Sequence, residues 1–327
     1  MSIAGKRVLI TGAGGFIGSH LAEALLERGA HVRAMAHYNA LRSAGWLDRS
    51  LHADKMEIVF GDITDADSVD AAVKGVDIVF HLAALIAIPY SYVAPRAYVA
   101  ANVTGTLNVL QSAERHGAAV LQTSTSEVYG TAQIAPIPLS HPLQGQSPYS
   151  ATKIASDKLA ESFNRSFGLP VVIVRPFNTF GPRQSDRAVI PTIIKQVLTK
   201  DVVTIGATSP TRDFNYVQNT VEAFIAVSER TDLFGKTLHF GSGREISIGD
   251  LIALIARLEG KEVQVVEDSQ RLRPTASEVE RLIADNTEVA QLLPEWSPRI
   301  DLEEGLARTI AWFRDSGPLT DVGQYIR

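Results

Sequence analysis

The stretch Arg7-Val-Leu-Ile-Thr-Gly-Ala-Gly-Gly-Phe-Ile-Gly18 joins a short apolar run to a glycine-rich turn. Glycines at positions 12, 15 and 18 follow the spacing G-x-x-G-x-x-G. A strand that ends in such a turn and opens a helix allows a tight bend, close backbone approach to a pyrophosphate, and unpaired N–H groups at the helix start. The stretch therefore predicts a dinucleotide site. The residues expected to line it are Gly12, Gly15, Phe16, Ile17 and Gly18.

Apolar runs bounded by turn residues recur through the first half of the chain and alternate with segments of helical periodicity. Strands that are nearly continuous in apolar residues predict a parallel sheet covered on both faces. The expected fold is α/β, a Rossmann-type doubly wound parallel sheet. After Pro176 the pattern loosens, which predicts a dinucleotide-binding domain at 1–177 and a smaller α/β substrate domain at 178–327. A strand pattern at 236–240 leaves open a return to the first sheet.

The composition argues against several classes of function. The chain has 327 residues and a formal net charge of −5, so it lacks the basic surplus that nucleic acid or an anionic membrane attracts. It has no cysteine, and its eight histidines form no His-x-x-x-His pair with an adjacent Glu, so no metal is expected. The strand-like start leaves no room for a signal peptide, and the apolar stretch 82–90 is too short to cross a bilayer. We expect a cytoplasmic protein.

The end of the second predicted strand bears on which dinucleotide is bound. This fold usually places an acid about 20 residues beyond the glycines, where it holds the adenosine ribose hydroxyls. Here the strand ends in Ala36-His-Tyr-Asn39, the nearest acid is Asp48, and Arg42 lies between them. Because no carboxylate would repel a 2′-phosphate, we expect NAD(P) with a preference for NADP, and with His37, Asn39 and Arg42 at the ribose.

A carboxylate follows the third predicted strand, in Gly61-Asp62-Ile63. At the carboxyl end of a strand in this sheet, Asp62 and Ile63 would face the adenine of the dinucleotide. Asp62 is equally well placed to cap a helix that begins near Thr64. Both interpretations stay open at this point.

A tyrosine and a lysine lie four residues apart in Ser147-Pro-Tyr-Ser-Ala-Thr-Lys153. Ser147 is a good N-cap and Pro148 suits the first helical position, so Tyr149 and Lys153 are predicted to share one helix face. An ammonium beside the phenol would lower the pKa of Tyr149 from about 10 and make it a usable base. Alone, such a pair is also an ordinary helix-surface contact. Its position after the glycine-rich turn favours catalysis.

With these motifs in this order, the chain resembles the extended short-chain dehydrogenase/reductase family over nearly its full length. Further matching segments are His81-Leu-Ala-Ala84, Asn102-Val-Thr-Gly-Thr106, Arg175-Pro-Phe-Asn178, Gly181-Pro-Arg183 and Arg212-Asp-Phe-Asn-Tyr-Val217. The resemblance implies a cofactor site that also includes Leu82, Ala83, Ala84, Asn102, Tyr149 and Lys153. It implies that a nucleotide-sugar diphosphate contacts Asn178, Arg183, Arg212 and Arg273.

The segment Thr125-Ser126-Glu127 resembles the sugar 4,6-dehydratases of the family, since family epimerases usually carry small residues after the Thr. The resemblance implies that Tyr149 removes the proton of the sugar 4-hydroxyl while Thr125 bonds the same oxygen. Glu127 would then take the C5 proton before water leaves C6. Dehydratases of the dTDP-glucose type have an Asp acid where this chain has Ser126, so here Glu127 would return its proton to O6. A structural role for Glu127, as a cap for a backbone amide, is the alternative.

The Ser-Glu pair resembles GDP-mannose dehydratases and nucleotide-sugar decarboxylases. Inverting hexosamine dehydratases carry Lys in place of the Glu, so the resemblance implies that the C5 configuration is retained. Shorter segments resemble the NAD(P)-dependent hexosamine 4,6-dehydratases of legionaminic acid pathways and imply GDP- or UDP-N-acetylglucosamine as substrate. These segments are His37-Tyr-Asn39, Gly45-Trp-Leu47, Gln144-Gly-Gln-Ser-Pro-Tyr149, Ala188-Val-Ile-Pro191 and Ser277-Glu-Val279.

Three alternatives remain at the level of sequence: a nucleotide-sugar 4-epimerase, a UDP-glucuronate decarboxylase, and a non-catalytic Rossmann binding protein. The last is disfavoured because Thr125, Glu127, Tyr149 and Lys153 are all present. Family members commonly dimerise by pairing two long helices from each subunit. The resemblance therefore implies a homodimer through the predicted helices at 102–116 and 150–167.

Overall fold

A computed structural model of the chain describes residues 2–272 and 274–316. Its strands are β1 (Arg7–Thr11), β2 (His31–His37), β3 (Glu57–Gly61), β4 (Ile78–His81), β5 (Ala119–Thr123), β6 (Val171–Pro176), β7 (Asn178–Phe180), β8 (Val202–Ile205), β9 (Thr211–Arg212), β10 (Phe214–Tyr216), β11 (Thr237–Phe240), β12 (Ile246–Ser247), β13 (Gln264–Glu267) and β14 (Arg281–Leu282).

The α-helices are α1 (Phe16–Glu27), α2 (Ala66–Val73), α3 (Ile88–Val93), α4 (Pro95–Tyr98), α5 (Gly105–His116), α6 (Pro148–Phe167), α7 (Val189–Thr199), α8 (Val217–Ser228), α9 (Ile248–Leu258), α10 (Thr287–Leu292) and α11 (Leu302–Asp315). A π-helical segment, Val99–Thr104, leads into α5. Short 3-10 turns are Gly45–Arg49, Ala53–Lys55, Ser126–Tyr129, Thr231–Leu233, Ser269–Arg271 and Thr275–Ser277.

A seven-stranded sheet with the order β3-β2-β1-β4-β5-β6-β11 forms the centre, and every neighbouring pair in it is parallel. The chain builds outward from β1 to β3 and then returns to place β4 on the other side of β1. Ligands in such sheets bind at this reversal, outside the carboxyl ends of the strands. The predicted α/β doubly wound fold is confirmed, and its reversal lies between Thr11 and His81.

Apolar side chains cover both faces of the sheet. On one face Val8 and Ile10 join a core with Leu21 of α1 and Phe224 of α8. On the other face lies a core of residues from β1, β4, α2, α5 and α6, namely Leu9, Val79, Val69, Val109 and Ala160. Adjacent residues of β1 thus point to opposite layers, which explains why its sequence is continuously apolar.

The C-terminal half contributes the last strand of the central sheet, because β11 pairs with β6 in the register Leu238↔Val174. The same half also forms a peripheral layer in which β8 pairs with β13, and β9 with β12 and β14. One hydrophobic core continues from Val8 to Ile193, Ile252 and Phe313. The predicted boundary near residue 178 stays a prediction. Within the described residues, no helix has the length and apolar content needed to cross a bilayer.

Replacement of a β11 side chain tests how much the returning strand contributes to stability. Leu238 is fully buried in the core, so Leu238→Ala is expected to lower the free energy of unfolding by about 2–5 kcal/mol. Leu51 is 92% exposed, and Leu51→Ala is expected to change it by less than about 0.5 kcal/mol. Urea unfolding followed by circular dichroism measures both. Equal, small effects would show that β11 is dispensable for the core.

Candidate active site

The glycine-rich turn lies at the reversal of the sheet, between β1 and α1. Gly12 has φ +71°, and a Cβ there would lie 2.9 Å from the backbone nitrogen of Ala83. A Cβ at Gly18 would lie 2.3 Å from the carbonyl oxygen of Gly12. Gly15 is the N-cap of α1, and no side chain caps this helix. The N–H groups of its first turn, which includes Phe16 and Ile17, therefore remain for an anion. This cradle fits the pyrophosphate of a dinucleotide.

The loop after β4 is held against the turn and against α6. The hydroxyl of Thr11 accepts a hydrogen bond from Ala83 N at 3.1 Å. Asn102, in the π-helical segment, accepts from Leu85 N at 2.8 Å and donates to Leu85 O and Thr152 Oγ1, each at 3.0 Å. Asn102 thus uses its whole amide to hold this loop in place. The loop carries the predicted cofactor residues Leu82, Ala83 and Ala84.

His81 is buried between two hydroxyls. Its Nδ1 lies 2.8 Å from Thr11 Oγ1 and its Nε2 lies 3.1 Å from Thr106 Oγ1. Burial and the nearby charge of Lys153 lower the pKa of His81 to about 3. The ring is therefore neutral and joins β4 to β1 and α5. Its partners could not be identified from sequence because they lie 70 and 25 residues away.

The loop after β2 is built around Asn39. Its Oδ1 accepts from Leu41 N and Ser43 N, and its Nδ2 donates to His37 O and Ser43 O. Arg42 lies at the tip of this loop, exposed, with φ +51°. The amide of Asn39 therefore shapes the loop, while His37, Tyr38 and Arg42 are exposed at its surface.

Two acids near this loop are bound locally. Asp48 accepts from Ser43 Oγ at 2.6 Å and from Ala44 N at 3.0 Å. Asp62 accepts from the N–H and the hydroxyl of Thr64, both at 2.8 Å. Burial raises the pKa of Asp62, but these hydrogen bonds lower it by a larger amount. The pKa of Asp62 therefore lies below its ordinary value.

The capping alternative for Asp62 is wrong, because the N-cap of α2 is Asp65, whose side chain accepts from Asp67 N. Asp62 instead stabilises the turn that follows β3. The carbonyl of Ile63 in that turn accepts from Asn108 Nδ2 at 2.9 Å, which ties the turn to α5.

The predicted start of α6 is confirmed, since Ser147 is its N-cap and Pro148 its first residue. Ser147 Oγ accepts from Ser150 N at 3.1 Å, and Ser150 Oγ accepts from Ser147 N at 3.0 Å. This capping box directs the next two turns into the protein. Tyr149 and Lys153 are consequently only 7% and 5% exposed.

The predicted lowering of the Tyr149 pKa is wrong in this structure. Burial raises this pKa above its ordinary value, a hydrogen bond with Thr125 opposes the rise, and the negative charge of Glu127 adds to it. The Lys153 ammonium donates to Thr123 O at 2.6 Å. Burial also lowers the pKa of Lys153, to about 8. Desolvation, which sequence spacing does not reveal, is therefore the largest cause of both pKa shifts.

The segment between β5 and the following loop brings two more groups to Tyr149. Thr125 has an extended backbone and accepts from Glu127 N at 3.2 Å, which starts the 3-10 turn. Glu127 is 9% exposed, and its charge raises the pKa of Tyr149. Ser126 between them is buried. The structure thus brings Thr125, Glu127 and Tyr149 into one cluster, with the buried Lys153 one turn further along α6.

The predicted substrate residues lie on different elements and have different partners. Asn178 pairs in register with Phe214 of β10, two residues beyond Arg212. Among the described residues, no hydrogen-bond partner reaches the buried Oδ1 of Asn178. Arg212 is 6% exposed and donates to Thr211 O at 2.9 Å. Asn178 thus lies on β7, which pairs with β10, and Arg212 lies on β9, which comes just before β10 in the chain.

Arg183 has φ +70° and forms an ion pair with Glu23 of α1 at 2.9 Å. This pair gives it a structural role between α1 and the loop after β7. Arg273 lies outside the described residues. In the part of the chain that the structure describes, no group of three or more His, Cys, Asp or Glu side chains could hold a metal ion.

The chain matches one protein family over most of its length. Residues 9–309 match the family described as GDP-mannose 4,6 dehydratase. The chain belongs to this family. The dTDP-glucose 4,6-dehydratase of Streptomyces antibioticus is 34% identical over 315 residues, which cover 94% of this chain and 92% of that protein. The UDP-N-acetyl-alpha-D-glucosaminuronate decarboxylase of Bacillus cytotoxicus is 32% identical over 324 residues, which cover 95% and 98%.

A solved structure shows the same fold. It is a variant of the UDP-glucuronic acid 4-epimerase from Bacillus cereus in complex with UDP-4-deoxy-4-fluoro-glucuronic acid and NAD. Its TM-score is 0.87 at 28% identity, with 95% of this chain and 100% of that chain covered. The resemblance to the extended short-chain dehydrogenase/reductase family is therefore confirmed. The relatives of this GDP-mannose 4,6 dehydratase family member are named for dehydration, decarboxylation and epimerisation, so membership alone does not select a reaction.

A buried ion pair, which the sequence motifs of this family member did not predict, lies next to the cluster. Arg175 Nη2 lies 2.7 Å from Asp157 Oδ2, and the two side chains are 4% and 0% exposed. Asp157 lies four residues after Lys153, so the spacing Tyr149, Lys153, Asp157 follows one helix face. That spacing is the signal that could have revealed Asp157.

The low pKa of Lys153 can be tested directly by NMR of the protein labelled with 13C at lysine Cε. We expect one lysine resonance with a midpoint near pH 8, whereas exposed lysines titrate near about 10.4. This resonance should vanish in Lys153→Met and persist in Lys158→Met, since Lys158 lies on the outer face of the same helix, 56% exposed. A Lys153 midpoint near that of the exposed lysines would show that burial does not destabilise its ammonium.

Proposed function

We propose that this chain is an NAD(P)-dependent nucleotide-sugar 4,6-dehydratase. The observation that carries the proposal is the Glu127 carboxylate, buried in the same cluster as Tyr149 and close enough for its charge to raise the Tyr149 pKa. Tyr149 and Thr125 suffice to handle one hydroxyl of a sugar. A carboxylate beside them supplies a base for a second, carbon-bound proton, which elimination of water requires and epimerisation does not.

The cradle at the start of α1 would hold the pyrophosphate, and the loop 82–84 would line the dinucleotide. When bound there, the dinucleotide would supply a nicotinamide that can accept a hydride from C4 of the sugar and give it back at C6. The NAD named in the Bacillus cereus epimerase complex supports a nicotinamide dinucleotide here.

Tyr149 Oη would take the proton of the 4-hydroxyl, with Thr125 Oγ1 bonded to the same oxygen. Burial holds the phenol in its protonated form, so a positive charge is needed to stabilise the phenolate. The Lys153 ammonium, one helical turn away, supplies that charge below about pH 8. Lys153 therefore acts by stabilising the phenolate.

Glu127 would act once C4 has become a carbonyl, because the carbonyl makes the C5 proton acidic. Its carboxylate would take this proton and deliver it to O6, and water would leave from C6. When the hydride arrives at C6, C5 would regain one proton from solvent, which balances the proton that Tyr149 took from the 4-hydroxyl. Ser126 is too weak an acid to protonate O6 as a carboxyl group would. One carboxylate therefore serves as base and then as acid.

We further propose GDP- or UDP-N-acetylglucosamine as substrate, with C5 configuration retained, as in the hexosamine dehydratases of legionaminic acid pathways. Asn178 and Arg212 would contact the diphosphate, since the Arg212 guanidinium can bind it in a bidentate manner and the Asn178 amide nitrogen can donate to it. The homodimer and the contacts of Arg273 stay predictions.

Glu127→Gln tests the reaction. Incubation of the wild type with GDP-, UDP- and dTDP-sugars, followed by mass spectrometry, should show loss of one water from a hexose or N-acetylhexosamine. Removal of the base should lower this turnover by about 10²- to 10⁴-fold. The isosteric amide should leave thermal stability and NAD(P) binding near the wild-type values. Loss of carbon dioxide from a glucuronate would instead identify a decarboxylase, and an unchanged mass with an inverted C4 centre would identify an epimerase.

Arg42 tests the proposed preference for NADP. Isothermal titration should show tighter binding of NADP than of NAD, and Arg42→Ala should weaken NADP binding by about tenfold, the value of one charge-assisted contact. Binding of NAD should stay unchanged. Lys55→Ala, at another exposed cation after β2, is the control and should affect neither. Tighter binding of NAD by the wild type would contradict the proposed preference.

A further inference from the structure

Arg175 is a buried guanidinium on β6 that donates in three directions. Its Nε donates to Ser124 Oγ at 3.1 Å and its Nη2 to Asp157 Oδ2 at 2.7 Å. Its Nη1 donates to the hydroxyl of Tyr129. Arg175 itself is 3% exposed. All of its nitrogens are thus directed to side chains inside the protein.

These three partners lie on the two parts of the chain that carry the catalytic cluster, namely the segment after β5 and helix α6. Ser124 immediately precedes Thr125, and Tyr129 is the last residue of the 3-10 turn that contains Glu127. Arg175 therefore holds both ends of the segment 124–129. Asp157 lies on α6, one turn beyond Lys153, so the same guanidinium also holds the helix that carries Tyr149.

Strand β11 adds a further contact to these hydrogen bonds, through His239. The Tyr129 hydroxyl accepts from Arg175, which leaves its own proton to be donated to His239 Nε2 at 2.5 Å. Burial and the charge of Arg175 lower the pKa of His239 to about 3, so its ring stays neutral and can accept. His239 lies on β11, in register with Arg175 on β6. The Tyr129 ring is fully buried.

A contribution to the free energy of unfolding does not by itself explain why this buried ion pair of Arg175 and Asp157 is present. Desolvation of two charges cancels much of their attraction, and well-packed apolar side chains often stabilise a core equally well. A planar guanidinium, by contrast, holds three acceptors in one fixed relative geometry. Here that geometry spans the segment bearing Glu127 and the helix bearing Tyr149.

We propose that Arg175 is a positioning residue that sets the place of Glu127 relative to Tyr149. It would keep the carboxylate beside C5 of a sugar whose 4-hydroxyl lies at Tyr149. This inference rests on the proposed dehydratase function. Loss of the guanidinium should therefore impair removal of the C5 proton more than oxidation at C4.

Arg175→Lys tests the inference, because it keeps a positive charge for Asp157 but replaces the fork by one ammonium. Turnover should fall by about 10- to 100-fold, as a displacement of about 1 Å can cause. The deuterium isotope effect on kcat should increase for substrate labelled at C5 and approach unity for substrate labelled at C4. Tyr129→Phe, which removes one hydroxyl from the arrangement, should shift both effects in the same directions by a smaller amount.

Arg28→Lys is the matched control, since Arg28 also binds a carboxylate but lies outside the site: its Nη2 donates to both carboxylate oxygens of Glu222, at 2.6 and 2.7 Å. It should leave both isotope effects unchanged. Isotope effects do not depend on the fraction of folded enzyme, so a partly unfolded variant still gives an answer. Unchanged isotope effects in Arg175→Lys would overturn the inference and leave Arg175 a structural residue. A wild type that dehydrates no nucleotide sugar would overturn the proposed function, and this role of Arg175 with it.

Discussion

The burial of ionisable groups at the carboxyl ends of the central strands is the constraint on which the rest of the site depends. Water is excluded there, so each group shifts toward its neutral form unless a partner opposes the shift. Tyr149 holds its proton more tightly and Lys153 more loosely than in water. Burial thus moves the proton affinities of these two groups apart, because it raises the pKa of the Tyr149 phenol and lowers the pKa of the Lys153 ammonium. Tyr149 can therefore act as a base only where a nearby positive charge stabilises its phenolate.

The same constraint explains why distant segments meet around the site. A buried polar group without a partner is costly, so each must find one in the fold. His81 finds hydroxyls on β1 and α5, and Asn102 joins the loop after β4 to α6. Arg175 joins the segment after β5, α6 and, through Tyr129, β11. These contacts rigidify the surroundings of the cluster, and rigid surroundings preserve the geometry that proton transfer requires.

Local patterns in the sequence predicted the sheet, the glycine-rich turn and the start of α6, because each depends on neighbours within a few residues. Apolar continuity marks a strand covered on both faces, and Ser147-Pro148 marks a helix start wherever the helix later packs. The pKa of Tyr149 was predicted in the wrong direction because its largest cause, burial, comes from the whole fold. The capping role of Asp62 was wrong because Asp65 competes for the same helix.

The sequence by itself determined the fold class, the dinucleotide cradle and the presence of a phenol, an ammonium and a carboxylate in one half of the chain. Their periodicity and local chemistry do not depend on distant contacts. Only the tertiary structure decided that Glu127 and Tyr149 share one buried cluster, that Arg183 pairs with α1, and that a strand from the C-terminal half completes the sheet. These features depend on side chains tens of residues apart, and it is packing that brings them into contact.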